Sequence, residues 1–131
     1  MTEARANEIF RTKYPEGEIT RKHASSAGWK YFVVFNKGGK AYYYGCTSYA
    51  ELLNRLGFEV VYTHNLESAK ATLKKYEEEL NDAKAGKFSK FAFIFIEQTP
   101  ENEKQYINDL QKQVNEYKEL VRHYTEDCII D

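Results

Sequence analysis

Two periods run through the apolar positions of this chain, and they assign its elements. Ala6, Ile9, Phe10 and Tyr14 recur at steps of three and four, which predicts a helix near 2–14 stopped by Pro15. Glu16-Gly17 is a turn, Glu18 to His23 alternates weakly and reads as a strand, and Ala24 to Gly28 reads as a loop. Trp29 to Phe35 is β-rich, Asn36-Lys37-Gly38-Gly39 supplies turn residues, and Lys40 to Cys46 runs back, so residues 29–46 form a Tyr-rich hairpin. Its register is open. A two-residue Gly38-Gly39 loop places Tyr31, Val33, Phe35, Tyr42 and Tyr44 on one face, whereas a three-residue loop joins Tyr42 and Tyr44 to Phe32 and Val34.

Beyond the hairpin the helical period returns. Ser48-x-x-Glu51 is a capping box, and Tyr49, Leu52, Leu53 and Leu56 line a helix near 48–57 closed by Gly57. Phe58 to Tyr62 reads as a strand. Asn65 caps a helix over 65–85 whose Leu66, Ala69, Leu73, Tyr76, Leu80 and Ala83 share a face, and Gly86 ends it. Phe91 to Ile96 is a near-continuous apolar run, so a strand near 90–97 is expected at the sheet centre. Thr99-Pro100 opens a last helix over 99–127. Its Ile107, Leu110, Val114, Tyr117, Val121, Tyr124 and Cys128 keep a coiled-coil-like spacing. That stripe predicts either a homodimer through this helix or an antiparallel contact with Leu66, Leu73, Tyr76 and Leu80.

The expected fold is a single α+β domain over 1–131, an antiparallel sheet built on the hairpin and packed by helices. With 42% hydrophobic and 15% aromatic residues among 131, there is ample material for a core, which excludes disorder as the overall state. No apolar run is long enough to span a bilayer and the start has no apolar leader core, so no membrane is expected among the partners. Cys46 and Cys128 form no CxxC pair or disulfide framework, which favours a reducing cytoplasm. The net charge of −1 hides a local +4 over residues 1–57 and −5 over 58–131.

Candidate chemistry is sparse. His23, His64 and His123 fall on three different elements, and Glu119, His123 and Asp127, spaced i, i+4, i+8 on one helix face, read as a solvated stripe rather than a metal site. Cys46 precedes the helix opened by Ser48, where a thiol can be acidified, but no histidine is tied to it. No phosphate-binding glycine loop occurs, so neither a cofactor nor a metal is expected.

Tyr31, Tyr43-Tyr44-Gly45 and Arg55 stand in the order of a partial signature over residues 28–80. In this the chain resembles the GIY-YIG nucleases, which pair two Tyr-bearing hairpin strands with a helix carrying a catalytic Arg and a later metal-binding Glu. The resemblance implies a degenerate nuclease with Arg55 in the catalytic place and Glu67 or Glu77 as the acidic residue. The chain departs from the pattern in lacking the first Gly-Ile-Tyr triplet and in the longer spacing from Gly45 to Arg55.

The absence of a catalytic set favours a small non-enzymatic cytoplasmic binding protein, an adaptor or an inhibitor of a protein partner. Its concrete form is an accessory, anti-defence protein of a phage or mobile element. The expected binding residues are Trp29, Tyr31, Lys37, Lys40, Tyr42, Tyr43 and Tyr44, because aromatic side chains give large rigid contact area at low entropy cost. The alternative is single-stranded nucleic-acid binding, with hairpin aromatics stacking on bases and Arg21, Lys22, Lys30, Lys37 and Lys40 facing phosphates.

Overall fold

Four helices and five short strands follow one another in the computed structural model, which describes residues 1–23, 30–35 and 40–131. For Lys22, His23, Lys30, Tyr31, Val33 and Phe35 the description is of the backbone alone. The order is α1 (Glu3–Phe10), β1 (Glu18–His23), β2 (Lys30–Phe35), β3 (Ala41–Gly45), α2 (Tyr49–Arg55), β4 (Val60–Val61), α3 (Thr63–Lys84), α4 (Pro100–Glu126) and β5 (Ile129–Ile130). The chain is mixed α+β and divides into two compact units, one of residues 1–62 with 128–131 and one of residues 63–127.

In the first unit β1, β2 and β3 form a three-stranded sheet in that order, each neighbour antiparallel to the next. Val34 pairs with Tyr42 and Phe32 with Tyr44, which is the register of the three-residue loop. The expected 24–28 loop, Trp29 and the 36–39 turn lie outside the described residues. Ile19, Phe32 and Val34 point into a core shared with Ala6, Ile9 and Phe10 of α1 and Leu52 and Leu53 of α2. A buried asparagine ties α1 to the sheet. Asn7 Nδ2 donates to the Ile19 carbonyl at 3.0 Å, and Asn7 Oδ1 accepts from the Ile19 N–H at 2.7 Å. Arg11 Nε donates to the Gly17 carbonyl just upstream at 3.0 Å. Asn7 therefore takes the outward backbone groups of Ile19 that a further strand beside the start of β1 would use.

The helix ends follow local chemistry. Thr2, Ser48 and Thr99 accept from the N–H three residues on at the starts of α1, α2 and α4. Gly57 and Gly86 take the positive φ that ends α2 and α3. At each, the N–H of the following residue, Phe58 or Lys87, bonds back to Leu53 or Asp82 as a Schellman cap requires. Boundaries shift where the apolar pattern overran the hydrogen bonds. α1 ends at Phe10 rather than 14, α2 spans 49–55, and α3 starts at Thr63, two residues before the expected Asn65 cap.

Two expected strands are corrected. The 58–62 strand reduces to Val60–Val61, which pairs parallel with Ile129–Ile130 and stays out of the three-stranded sheet. Cys128 consequently leaves the last helix, which ends at Glu126. The 90–97 segment is no strand at all: it forms turns and bends in the connection between α3 and α4. Its apolar run reads as β from composition, but two long helices bracket it and no described strand pairs with it.

In the second unit α3 and α4 pack antiparallel, with Tyr76 against Tyr117 and Lys84 beside Gln111. Leu80, Ala83, Leu110 and Val114 are buried between them, with Leu73, Tyr76 and Ile107 packed alongside. The central part of the regular α4 stripe is thus covered by α3, the second of the two expected outcomes, and this removes the reason for inferring a dimer from its spacing.

Two outcomes test this packing. Asn7→Ala leaves both Ile19 backbone groups without partners and is expected to cost about 1–3 kcal/mol per unsatisfied group, measured by urea unfolding. Val114, 2% exposed, should on change to Glu lower the melting temperature and cooperativity while sedimentation shows an unchanged mass. A drop in mass without loss of cooperativity would restore the dimer seam.

Candidate functional site

The geometry of the sheet edges follows from the Asn7 contact. Because Ile19 gives both its N–H and its carbonyl to Asn7, its pair with Val34 is a non-hydrogen-bonded one. Strict alternation then directs the backbone groups of Val34 and Phe32 toward Tyr42 and Tyr44. It leaves those of Ala41, Tyr43 and Gly45 pointing away from the sheet. Among the described residues nothing pairs with that outer side of β3. Side chains thus take the outward backbone groups near the start of β1, whereas those of β3 have no partner among the described residues.

Aromatic side chains flank the open edge. Tyr43 is 73% exposed and Tyr42 44% exposed, and as neighbours in a strand they stand on opposite faces. Tyr44 is half-buried and packs on the core, and Lys40 is exposed just before the strand. Tyr31 stands opposite Gly45 in the register. Trp29 and Lys37 lie outside the described residues, so of the seven expected binding residues the structure brings Lys40, Tyr42 and Tyr43 together at an exposed edge.

The sites considered for catalysis are differently arranged. Cys46 is buried and burial pushes its thiol up, outweighing the lowering effect of Arg55, so the thiolate is disfavoured. Ser48 is occupied, accepting from Glu51 N–H at 3.1 Å and sharing a 2.7 Å hydrogen bond with Tyr62. Glu51 closes the cap by accepting from the hydroxyl and N–H of Thr47, and these bonds hold its carboxyl below the ordinary range. Arg55 sits 3.6 Å from Glu51, both at the surface. Glu67 belongs to the second unit and faces Lys70 at 3.8 Å. In the Glu119, His123 and Asp127 stripe, His123 Nδ1 lies 3.1 Å from Asp127, and Arg122 binds Glu119, Glu126 and Asp127. Hydrogen bonding to His123 holds Asp127 low, and hydrogen bonding to Arg122 holds Glu119 low. Arg122 already neutralises these carboxylates, which suits a surface ion-pair network.

Arg21 lines a cavity of about 190 Å³ beside Phe32 and Tyr49, and its buried Nε has no hydrogen-bond partner among the described residues. The Tyr49 hydroxyl there donates to Glu3 at 3.3 Å, and burial followed by that carboxylate pushes its pKa up.

Sequence reasoning missed one surface. Phe91, Ile94, Phe95 and Ile96, expected in the sheet centre, are all more than half exposed, and Phe95 is 96% exposed. The signal that could have found them is their bracket, a helix-ending Gly86 on one side and Thr99-Pro100 on the other. Compared with known proteins, the chain matches no family model, no curated protein and no solved structure.

Peptide mapping after brief treatment of the native protein with a small thiol reagent near neutral pH should leave Cys46 unmodified, and urea should make it reactive. Rapid native modification would show a thiol far more acidic and open than this burial produces.

Proposed function

We propose that the chain is a non-enzymatic binding protein, an adaptor or inhibitor, that takes a protein partner along the outer edge of β3. The observation that carries this reading is the asymmetry of the sheet. Asn7 takes the outward backbone groups of Ile19 near the start of β1 and Arg11 the Gly17 carbonyl just before it, while β3 offers the backbone groups of Ala41, Tyr43 and Gly45, unpaired among the described residues, between two exposed tyrosines. A partner strand added there gains main-chain hydrogen bonds, and Tyr42 and Tyr43 grip it from opposite faces. Tyrosine suits this role because its rigid ring brings contact area and its hydroxyl tolerates a wet rim.

A second reading, single-stranded nucleic-acid binding, draws on the exposed Tyr43 ring and on the exposed Lys40 that precedes the same strand. The two readings make different demands on the backbone. Strand addition needs the Tyr43 N–H, whereas base stacking needs the ring alone.

Capture from cell extract, with and without nuclease, tests both. Tyr43→Pro removes an outward N–H and spares the ladder to β2, so the fold should persist while a nuclease-resistant partner is lost. Tyr43→Ala should weaken capture and leave the melting temperature within about 3 °C, as expected for an exposed side chain. Capture abolished by nuclease, with Tyr43→Pro retaining less than Tyr43→Phe, would favour nucleic acid.

A further inference from the structure

The connection between α3 and α4 ends in an apolar tip built on a fixed base. Phe88, Phe93 and Tyr106 form a three-ring cluster with centroids 5.4–5.8 Å apart. Ser89 accepts from the N–H of Phe91 and Ala92 through its hydroxyl and carbonyl, respectively. Glu97 accepts at its carbonyl from Asn102 Nδ2 at 2.6 Å. From this base Phe91, Ile94, Phe95 and Ile96 project into solvent. An apolar group of this size, at the point where a chain reverses between two long helices, is unlike the scattered single apolar residues of an ordinary surface.

Charge says what covers it. From Ala83 to Ile96 the chain carries Lys84, Lys87 and Lys90 and no carboxylate, within a stretch, 58–131, that is otherwise acidic. Beside the tip lies an open depression of about 660 Å³ lined by Lys87, Ser89, Lys90 and Gln98 over Phe88 and Phe93. Its polar side chains supply hydrogen-bond donors and two positive charges, the set that a phosphate or carboxylate headgroup accepts.

We infer that this tip seats on the surface of an anionic phospholipid bilayer. Phe91, Ile94, Phe95 and Ile96 enter the boundary between headgroups and acyl chains, and Lys87 and Lys90 meet the anionic headgroups. Surface anchoring needs two signals acting together, apolar insertion and basic charge, and the tip combines them. The insertion is shallow. The N–H groups of Phe95 and Ile96 make no hydrogen bond to the described residues, so they must stay where water or headgroup oxygens reach them. No helix of the described residues is long and apolar enough to cross a membrane, and a seated tip does not need one. This surface belongs to the second unit, and the inference stands or falls without the proposed role of β3.

Co-sedimentation of the full chain with vesicles of phosphatidylcholine alone, or with added phosphatidylserine, tests the inference at about 0.15 M ionic strength. The wild type should bind the phosphatidylserine vesicles and not the neutral ones, and added salt should weaken binding. Phe95→Ser with Ile96→Ser should reduce binding about tenfold or more with an unchanged melting temperature. Lys87→Glu with Lys90→Glu should do the same. Absence of binding to the phosphatidylserine vesicles overturns the inference. So does binding that the Ser variant leaves intact, which would be charge adsorption alone. A higher mass in vesicle-free sedimentation that the Ser variant abolishes also overturns it, assigning the tip to a second copy of the chain.

Discussion

The two hydrogen bonds between Asn7 and Ile19 set the character of the sheet. An amide side chain offers a donor and an acceptor at the spacing of a backbone partner, so one residue of α1 substitutes for a neighbouring strand. The substitution holds α1 against the sheet and buries Ile9 and Phe10 beside Ile19. It also fixes which backbone groups of every strand point inward. Through the alternation of the antiparallel ladder, a contact at β1 decides that Tyr43, two strands away, presents its N–H and carbonyl outward.

Sheet edges left open are a hazard that proteins ordinarily cover, charge or shorten. Here the treatment is unequal. Near its start the β1 edge is covered by Asn7 and Arg11, whereas β3 is short, follows an exposed lysine and carries exposed tyrosines. A short strand beside Lys40 limits uncontrolled pairing, yet the tyrosines supply the contact area that a specific partner needs. This combination motivates placing the function at β3 rather than elsewhere on the first unit.

The second unit shows how a regular stripe and an irregular one meet different fates. Leu110 and Val114 repeat at helical spacing and find their complement in Leu80 and Ala83 on α3. The run from Phe91 to Ile96 has no helical period, follows the Gly86 cap and precedes Pro100, so neither helix can absorb it. Phe93 alone turns inward to Phe88 and Tyr106. The remaining large side chains of the run stay exposed, while Leu80, Ala83, Leu110 and Val114 are buried between the helices.

The sequence by itself determined what depends on neighbours along the chain. Ser48, Thr99, Gly57 and Gly86 mark helix ends through bonds spanning three to five residues, and the stripe of Leu73, Tyr76 and Leu80 names the buried face of α3. Tertiary structure decided what depends on distant partners. The sequence allowed two registers for Tyr42 and Tyr44, and pairing with Phe32 and Val34 selected one. It made Asn7 an unremarked polar residue on a short helix, because nothing local announces a clamp twelve residues away. It assigned 91–96 to a sheet centre because aromatic and β-branched residues favour strands, but a strand exists only where another strand receives its hydrogen bonds. Propensity is a property of residues, whereas pairing and burial belong to the space that the rest of the chain leaves.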